Sequence, residues 1–332
     1  VDMAKMKLEV LHARARRHGV GARERLVAEL PRWAPFAAGV PVLANARGAV
    51  PGLAALGERV LGLAAERPLP RFRRDRFRDA EVASAAPAPR GDAILLADTF
   101  NRYFEPENLR AAAGVLRAAG WRPVVAGDGG RPLCCGRTYL AAGMLDRARA
   151  EARRTLAAIG TGNAPVVGLE PSCLLTLRDE FRSLLPGPDT EALSGRAVLL
   201  SELLAREKPD LPLRGTPRVA HVHGHCHQKA FGAFPAALDT LRHVPGLEVR
   251  PITSSCCGMA GAFGYDSRRV EVSKAMGELS LAPAVRAAGA GDLIVADGTS
   301  CRHQIADLTG RRAVHSVMIL AEALGVESSR SV

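Results

Sequence analysis

Two stretches of this chain repeat one order of features. Each has a short apolar run, a helical segment, a second apolar run, a loop with adjacent cysteines, a longer helical segment, a third apolar run and then a single cysteine. In the first stretch the runs are DAILLAD, WRPVVAG and APVVGLE, with Cys134 and Cys135 in the loop and Cys173 at the close. In the second they are RVAHVHG, LEVRPI and DLIVAD, with Cys226 after the first run, Cys256 and Cys257 in the loop and Cys301 at the close. The cysteine pairs lie 122 residues apart and the closing cysteines 128, a match that survives a six-residue insertion and points to an internal duplication. Apolar runs alternating with helical patterns predict sheets with helices packed on their faces. The fold class is therefore α/β, with two similar α/β lobes related by a pseudo-twofold. Their cysteine loops fall at comparable strand ends, where such sheets bind ligands.

Residues 1–91 differ in texture: helical periodicity in the first third, then Pro- and Gly-rich stretches, then a second helical piece at LAALGERVLGLAAERP. They read as an N-terminal helical extension and linker, followed by a first lobe over 92–190 and a second over 191–332. With 332 residues, 47% of them apolar, the chain can bury a sizeable core. No window reaches the roughly 18 to 20 apolar residues that cross a bilayer, and VDMAKMKLEVLHARARRHG is too charged for a secretory signal. The expected location is the cytoplasm, with any contact to the inner membrane peripheral and made through partners. Because the chain opens at Val1 inside a running amphipathic pattern, it is expected to be a piece of a longer polypeptide. The formal charge of +11 includes a dense run at Arg71, Arg73, Arg74, Arg76 and Arg78. Asp75 and Asp79 interrupt that run and it matches no nucleic-acid module, so a solvated basic surface able to dock an acidic partner is expected, with no nucleic acid.

Seven cysteines, an odd number in a cytosol-like chain, argue against a disulfide framework and for metal or redox chemistry. In the second lobe Cys226, Cys256, Cys257 and Cys301 each follow a predicted strand, so four thiols can converge on one pocket. Four thiolates satisfy zinc or an iron-sulfur cluster. Adjacent Cα atoms lie only about 3.8 Å apart, which makes it awkward for both sulfurs of a pair to bind one tetrahedral ion and favours a cluster, whose irons are separate. Gly258, with Gly261 and Gly264 beyond it, lets the backbone approach the metal and aim N–H groups at sulfur. The first lobe offers Cys134, Cys135 and Cys173 and is one ligand short: Asp98, Thr99 and Phe100 stand where Cys226 stands in the second. A carboxylate such as Asp98 or Glu170, water or a substrate would complete that site, or it holds no metal and the thiols pack as small hydrophobes. His221 and His223 read as half-buried strand histidines. His225 and His227, flanking Cys226, and His303, just past Cys301, are the candidates to line the cofactor. GxGxxG, Walker, HExxH and GxSxG signatures are all absent.

The segments PLCCGRTYLAAG, EPSCLL, HGHCHQKA, SSCCGMAGAFGY and GTSCRHQI resemble the CCG, or cysteine-rich, domain family. That family is known from the heterodisulfide reductase B subunit, the glycolate oxidase iron-sulfur subunit and the iron-sulfur subunit of anaerobic glycerol-3-phosphate dehydrogenase. The resemblance covers about residues 92 to 322 in two copies. The wording HGHCHQKA with GTSCRHQI is most similar to the C-terminal end of bacterial fusions that join an FAD-binding domain, a ferredoxin-like module and this tandem, and that act on D-lactate or D-2-hydroxyglutarate. It implies an iron-sulfur cluster, of 4Fe-4S type, carrying electrons from reduced flavin to a quinone or other acceptor. It also implies FAD and a ferredoxin-like module upstream, with VDMAKMKLE resembling the stretch just after the last Cys-Pro of that module. The chain departs from the family pattern in that each closing CxxC keeps only its last cysteine, with Glu170 and Gly298 at the vacant positions. Catalysis of thiol-disulfide exchange at an open cluster, and a zinc-stabilised interaction domain, are the alternatives.

Overall fold

The computed structural model describes residues 3–83 and 86–326; the opening at Val1 and the last six residues lie outside the described residues. Strands β1 (Asp92–Leu95), β2 (Arg122–Val124), β3 (Val166–Gly168) and β4 (Ala197–Leu199) form one parallel sheet in the order β2-β1-β3-β4. Strands β5 (Val219–His223), β6 (Glu248–Pro251), β7 (Leu293–Ala296) and β8 (Ala313–Val314) form a second in the order β6-β5-β7-β8. The identical strand order bears out two similar α/β lobes. Helices cover both sheets, so strands can be continuous apolar runs: every residue of β3, inside the first sheet, and of β4, at its edge, is buried. Pro251, which has no N–H for a ladder, sits in β6 at the sheet edge. β4 lies beyond residue 190 yet pairs with β3, so the first sheet extends to Leu199.

The lobes trade their closing helices. Leu200–Glu207, which follows β4, packs on Phe234–Arg242 of the second lobe, and Ser316–Leu324, which follows β8, packs on Pro106–Ala118 of the first. One apolar core therefore runs through both, with Leu109, Leu116 and Leu203 beside Leu241, Val317 and Leu320. Ala111 and Ala112, both fully buried, keep the helix faces close. The N-terminal extension is helical at Met3–His18, Ala22–Ala28, Leu30–Ala37, Pro41–Ala44 and Leu53–Leu61. It straps both lobes. Thr138 Oγ1 donates to the Ala28 carbonyl at 2.9 Å and Tyr139 Oη to Glu29 Oε2 at 3.0 Å, while Ala64 N donates to the Tyr265 carbonyl at 2.9 Å.

A buried ion pair crosses the lobe boundary. Arg302 Nε donates to Glu105 Oε1 at 2.8 Å, its Nη2 donates to Glu105 Oε2, and its Nη1 donates to the carbonyls of Ala296 and Asp297 at 2.7 and 2.8 Å. Burial alone would raise the Glu105 carboxyl, but the Arg302 guanidinium reverses this and holds it at about 2, down from an ordinary 4.5. Glu105→Gln leaves Arg302 buried without its counter-charge and is expected to cost about 3–5 kcal/mol at neutral pH. Because the folded carboxyl is depressed, that stabilisation is complete above about pH 4.5 and is lost as pH falls through about 2. Urea denaturation over a pH series should therefore show the gap between wild type and Glu105→Gln closing on acidification. A gap independent of pH would contradict the pairing.

Candidate metal centre

In the second lobe the three ligand-bearing segments leave the carboxyl ends of neighbouring strands. β5 ends at His223, and Cys226 opens the helix Cys226–Ala230. The loop after β6 holds Cys256 and Cys257. β7 ends at Ala296, and Cys301 lies in the first turn of the helix Thr299–Thr309. The chain leaves β5 toward β6 on one side and β7 on the other, which opens a crevice at the switch point of the sheet. Cys226 Sγ lies 3.9 Å from Cys256 Sγ, and contacts continue from Cys256 to Cys257 and from Cys257 to Cys301. Ligand atoms of His223, Cys257 and Cys301 lie within 4.8 Å of one another. Cys226 is exposed, Cys256 half-buried, and Cys257 and Cys301 buried, so the row of sulfurs runs from the surface to the core.

These sulfurs share protons unequally. Hydrogen bonds from the thiols of Cys226 and Cys257 and from the Gly258 N–H, 3.3 Å from its sulfur, hold Cys256 well below the ordinary thiol range. The Cys257 thiol, with His223 and His225 nearby, lowers Cys301 against the cost of burial. Cys226 and Cys257, as the donors, are raised. Gly258 makes this turn possible: its φ is +90°, and a methyl group there would overlap the Ser273 carbonyl. Lys229 Nζ donates to the Ser254 and Ser255 carbonyls and so ties the Cys226 helix to the loop of Cys256. Among the described residues the seven cysteines are free.

The first lobe repeats the backbone and changes the chemistry. Gly136 N donates to Cys134 Sγ at 3.3 Å, as Gly258 does to Cys256. Cys134, Cys135 and Cys173 form a shorter row, all buried. The Cys135 hydrogen bond favours a Cys173 thiolate, but burial and the carboxylates of Asp98 and Glu170 push it up to about 12. The Cys135 contact and burial raise Cys134, and the Cys173 contact and burial outweigh the Cys134 hydrogen bond to raise Cys135. Asp98 and Glu170 are otherwise engaged. Asp98, raised to about 6 by burial and by Glu170, accepts from the N–H groups of Phe100 and Asn101 and from Asn101 Nδ2. Glu170 accepts from Ser172 and, across the lobe boundary, from Thr299 N at 2.8 Å.

The histidines separate. His225 caps the Cys226 helix, its Nδ1 accepting from His227 N at 3.2 Å, and its ring fills the space that a side chain at Gly298 would need. His227 stacks on His225 and turns to the first lobe, where its Nε2 lies 3.2 Å from Arg137 Nη2; burial, Arg137 and His225 lower it to about 4. His303 pairs with Tyr265 Oη at 2.9 Å, and burial lowers it as well. His221 pairs with Asp292 at 2.9 Å. His223, expected to be only a half-buried strand histidine, is the imidazole that joins the sulfurs: its Nδ1 lies 2.7 Å from Ser254 Oγ and its Nε2 is buried without a hydrogen bond. The only signal for it in the sequence is its place as the last residue of an apolar run. That orphaned nitrogen, the row of four sulfurs and the Gly258 N–H are donors and neighbours that fit a bound metal centre.

A family model described as a cysteine-rich domain, CCG, matches residues 99–178 and 220–306. The chain is 34% identical over 198 residues to the C subunit of anaerobic glycerol-3-phosphate dehydrogenase of Escherichia coli, an alignment covering 58% of this chain and 49% of that protein. It is 27% identical to D-2-hydroxyglutarate dehydrogenase of Pseudomonas putida over 97% of this chain and 32% of that protein, and 25% identical to the Escherichia coli protein of the same name over 70% and 22%. The chain thus spans about half or less of the length of these curated relatives. With a cysteine-rich match in each lobe, covering half of its residues and the loops that hold the cysteines, the chain belongs to the CCG cysteine-rich domain family.

Proposed function

We propose that this chain is the electron-transfer portion of a larger flavin-dependent dehydrogenase that oxidises a 2-hydroxyacid of the D-lactate, D-2-hydroxyglutarate or glycolate type. The observation that carries the reading is the convergence of Cys226, Cys256, Cys257 and Cys301 at the ends of β5, β6 and β7. These cysteines would hold an iron-sulfur cluster of 4Fe-4S type, which supplies one-electron chemistry when bound. The adjacent pair Cys256 and Cys257 favours a cluster over a single zinc ion. The names of the relatives support dehydrogenase chemistry, and their greater length supports FAD-binding and ferredoxin-like partner modules, with a quinone or similar molecule as the final acceptor.

The residues have distinct parts in this reading. Cys226, Cys256, Cys257 and Cys301 would bind as thiolates, and the protons that their row of sulfurs shares would leave as the metal enters. The Gly258 N–H orients and partly neutralises Cys256, and Lys229 fixes the separation of Cys226 from the loop of Cys256. Burial of Cys257, Cys301 and His223 excludes water from the inner side. Exposed Cys226 leaves an edge through which a partner can come within electron-transfer range. The first-lobe thiols, raised and facing two carboxylates, serve as a buried apolar counterpart and not as a second centre. No helix of the described residues is long and apolar enough to cross a membrane, and we place the protein in the cytoplasm, peripheral to the inner membrane at most.

Chain purified without oxygen should contain about four irons and about four sulfides, with broad visible absorption that bleaches on reduction and a paramagnetic signal in the reduced state. One zinc per chain and no colour would replace this reading with a zinc-stabilised interaction domain. Cys226→Ser and Cys301→Ser should each lose most of the iron, whereas Cys173→Ser should keep most of it. Equal loss in all three would contradict the assignment of the centre to the second lobe.

A further inference from the structure

Arg67 is the largest fully buried side chain among the described residues and belongs to neither lobe. It comes from the N-terminal extension, shortly after the helix Leu53–Leu61, and enters the second lobe behind the cysteine loop. Its Nη1 donates to Gln304 Oε1 and lies 3.0 Å from Met259 Sδ, and its Nη2 donates to Ser273 Oγ at 3.3 Å. Met259 is two residues past Cys257, and Gln304 is one turn past Cys301. One guanidinium therefore grips both segments that carry the deep cysteines. Its charge is met by one ion pair, with Asp307 at 3.6 Å; the hydrogen-bond partners of its side chain are neutral, and Nε is buried without a hydrogen bond. An arginine stays protonated in proteins, and a fully buried cation whose single ion-pair partner makes no hydrogen bond to it is stabilised by further negative charge close by. A cluster held by four thiolates, two of them on the segments that Arg67 grips, would supply it.

We propose that Arg67 is the counter-charge and positioning residue of the second-lobe centre, so that the N-terminal extension is part of the electron-transfer site. This rests on the iron-sulfur reading. Reduction adds negative charge to the centre, and a fixed cation behind it favours the reduced state.

The test is the midpoint potential of the full chain, followed by electron paramagnetic resonance during a redox titration, together with iron content, for wild type, Arg67→Gln and Arg67→Lys. Arg67→Gln should keep iron and reduce at a lower potential, with Arg67→Lys restoring most of the shift. Loss of iron in Arg67→Gln with retention in Arg67→Lys would also support the counter-charge, since lysine returns the charge without the fork. Equal potentials and equal iron in wild type and Arg67→Gln would overturn it. Loss of iron in both variants would overturn it too, because restored charge would then give no rescue and Arg67 would act by shape alone. Zinc in place of iron in the wild type would instead sink the reading on which the proposal rests.

Discussion

The helix that carries Cys301 begins between two carboxylates that belong to the other lobe. Glu170 accepts from the Thr299 N–H, and Glu105 accepts from Thr299 Oγ1 and grips Arg302. A helix start exposes unpaired N–H groups and a partial positive charge, and both are met here from across the boundary. Arg302 in turn fixes the carbonyls at the end of β7, so the strand, the turn through Gly298 and the first helical turn form one rigid unit. The position of Cys301 relative to Cys257 depends on that unit. The lobe without a full set of thiols thus holds the other in shape.

Much of this could be read from the residues. The strands that carry or precede cysteines were legible because each is an apolar run bounded by Gly, Pro or Asp, and the repeat in cysteine spacing foretold two sheets with the same strand order. β4 and β8 were not legible: AVL and AV are too short to show a period, and a fully buried run of that length looks like any helix segment. The same limit hid the exchange of closing helices, since an amphipathic face carries no label for its partner. At the candidate site, cysteine spacing pointed to the four sulfurs that the structure brings together, but it could not rank histidines that alternate along HVHGHCH. Backbone direction decides which ring faces the crevice, and it turned His223 inward and His227 toward Arg137. Glu170 and Gly298, which read as vacancies in a ligand pattern, have positive roles, one as a cap for the neighbouring lobe and the other as room for the His225 ring.

The duplicated lobes keep one backbone plan and differ in the chemistry around their cysteines. The CCG turn, the left-handed glycine and its N–H to sulfur are the same in both. What differs is the opening position, Thr99 against Cys226, and the charge around the row: Asp98 and Glu170 in one lobe, His223, His225 and Lys229 in the other. Carboxylates beside buried thiols keep them protonated, while imidazole and ammonium groups favour thiolate. The surroundings and the ligand count agree in each lobe.

The exchange of closing helices also sets an order of events during synthesis. Pro106–Ala118 is made long before the helix that covers its apolar face, Ser316–Leu324, which lies on the far side of the whole second lobe in the chain. Until then the first lobe keeps an oily face uncovered, a natural site for a chaperone to hold. The helix that carries Cys301 is clasped by Glu105 and Glu170 only once both lobes have been made and docked, so the four sulfurs of the second lobe take their places late in folding.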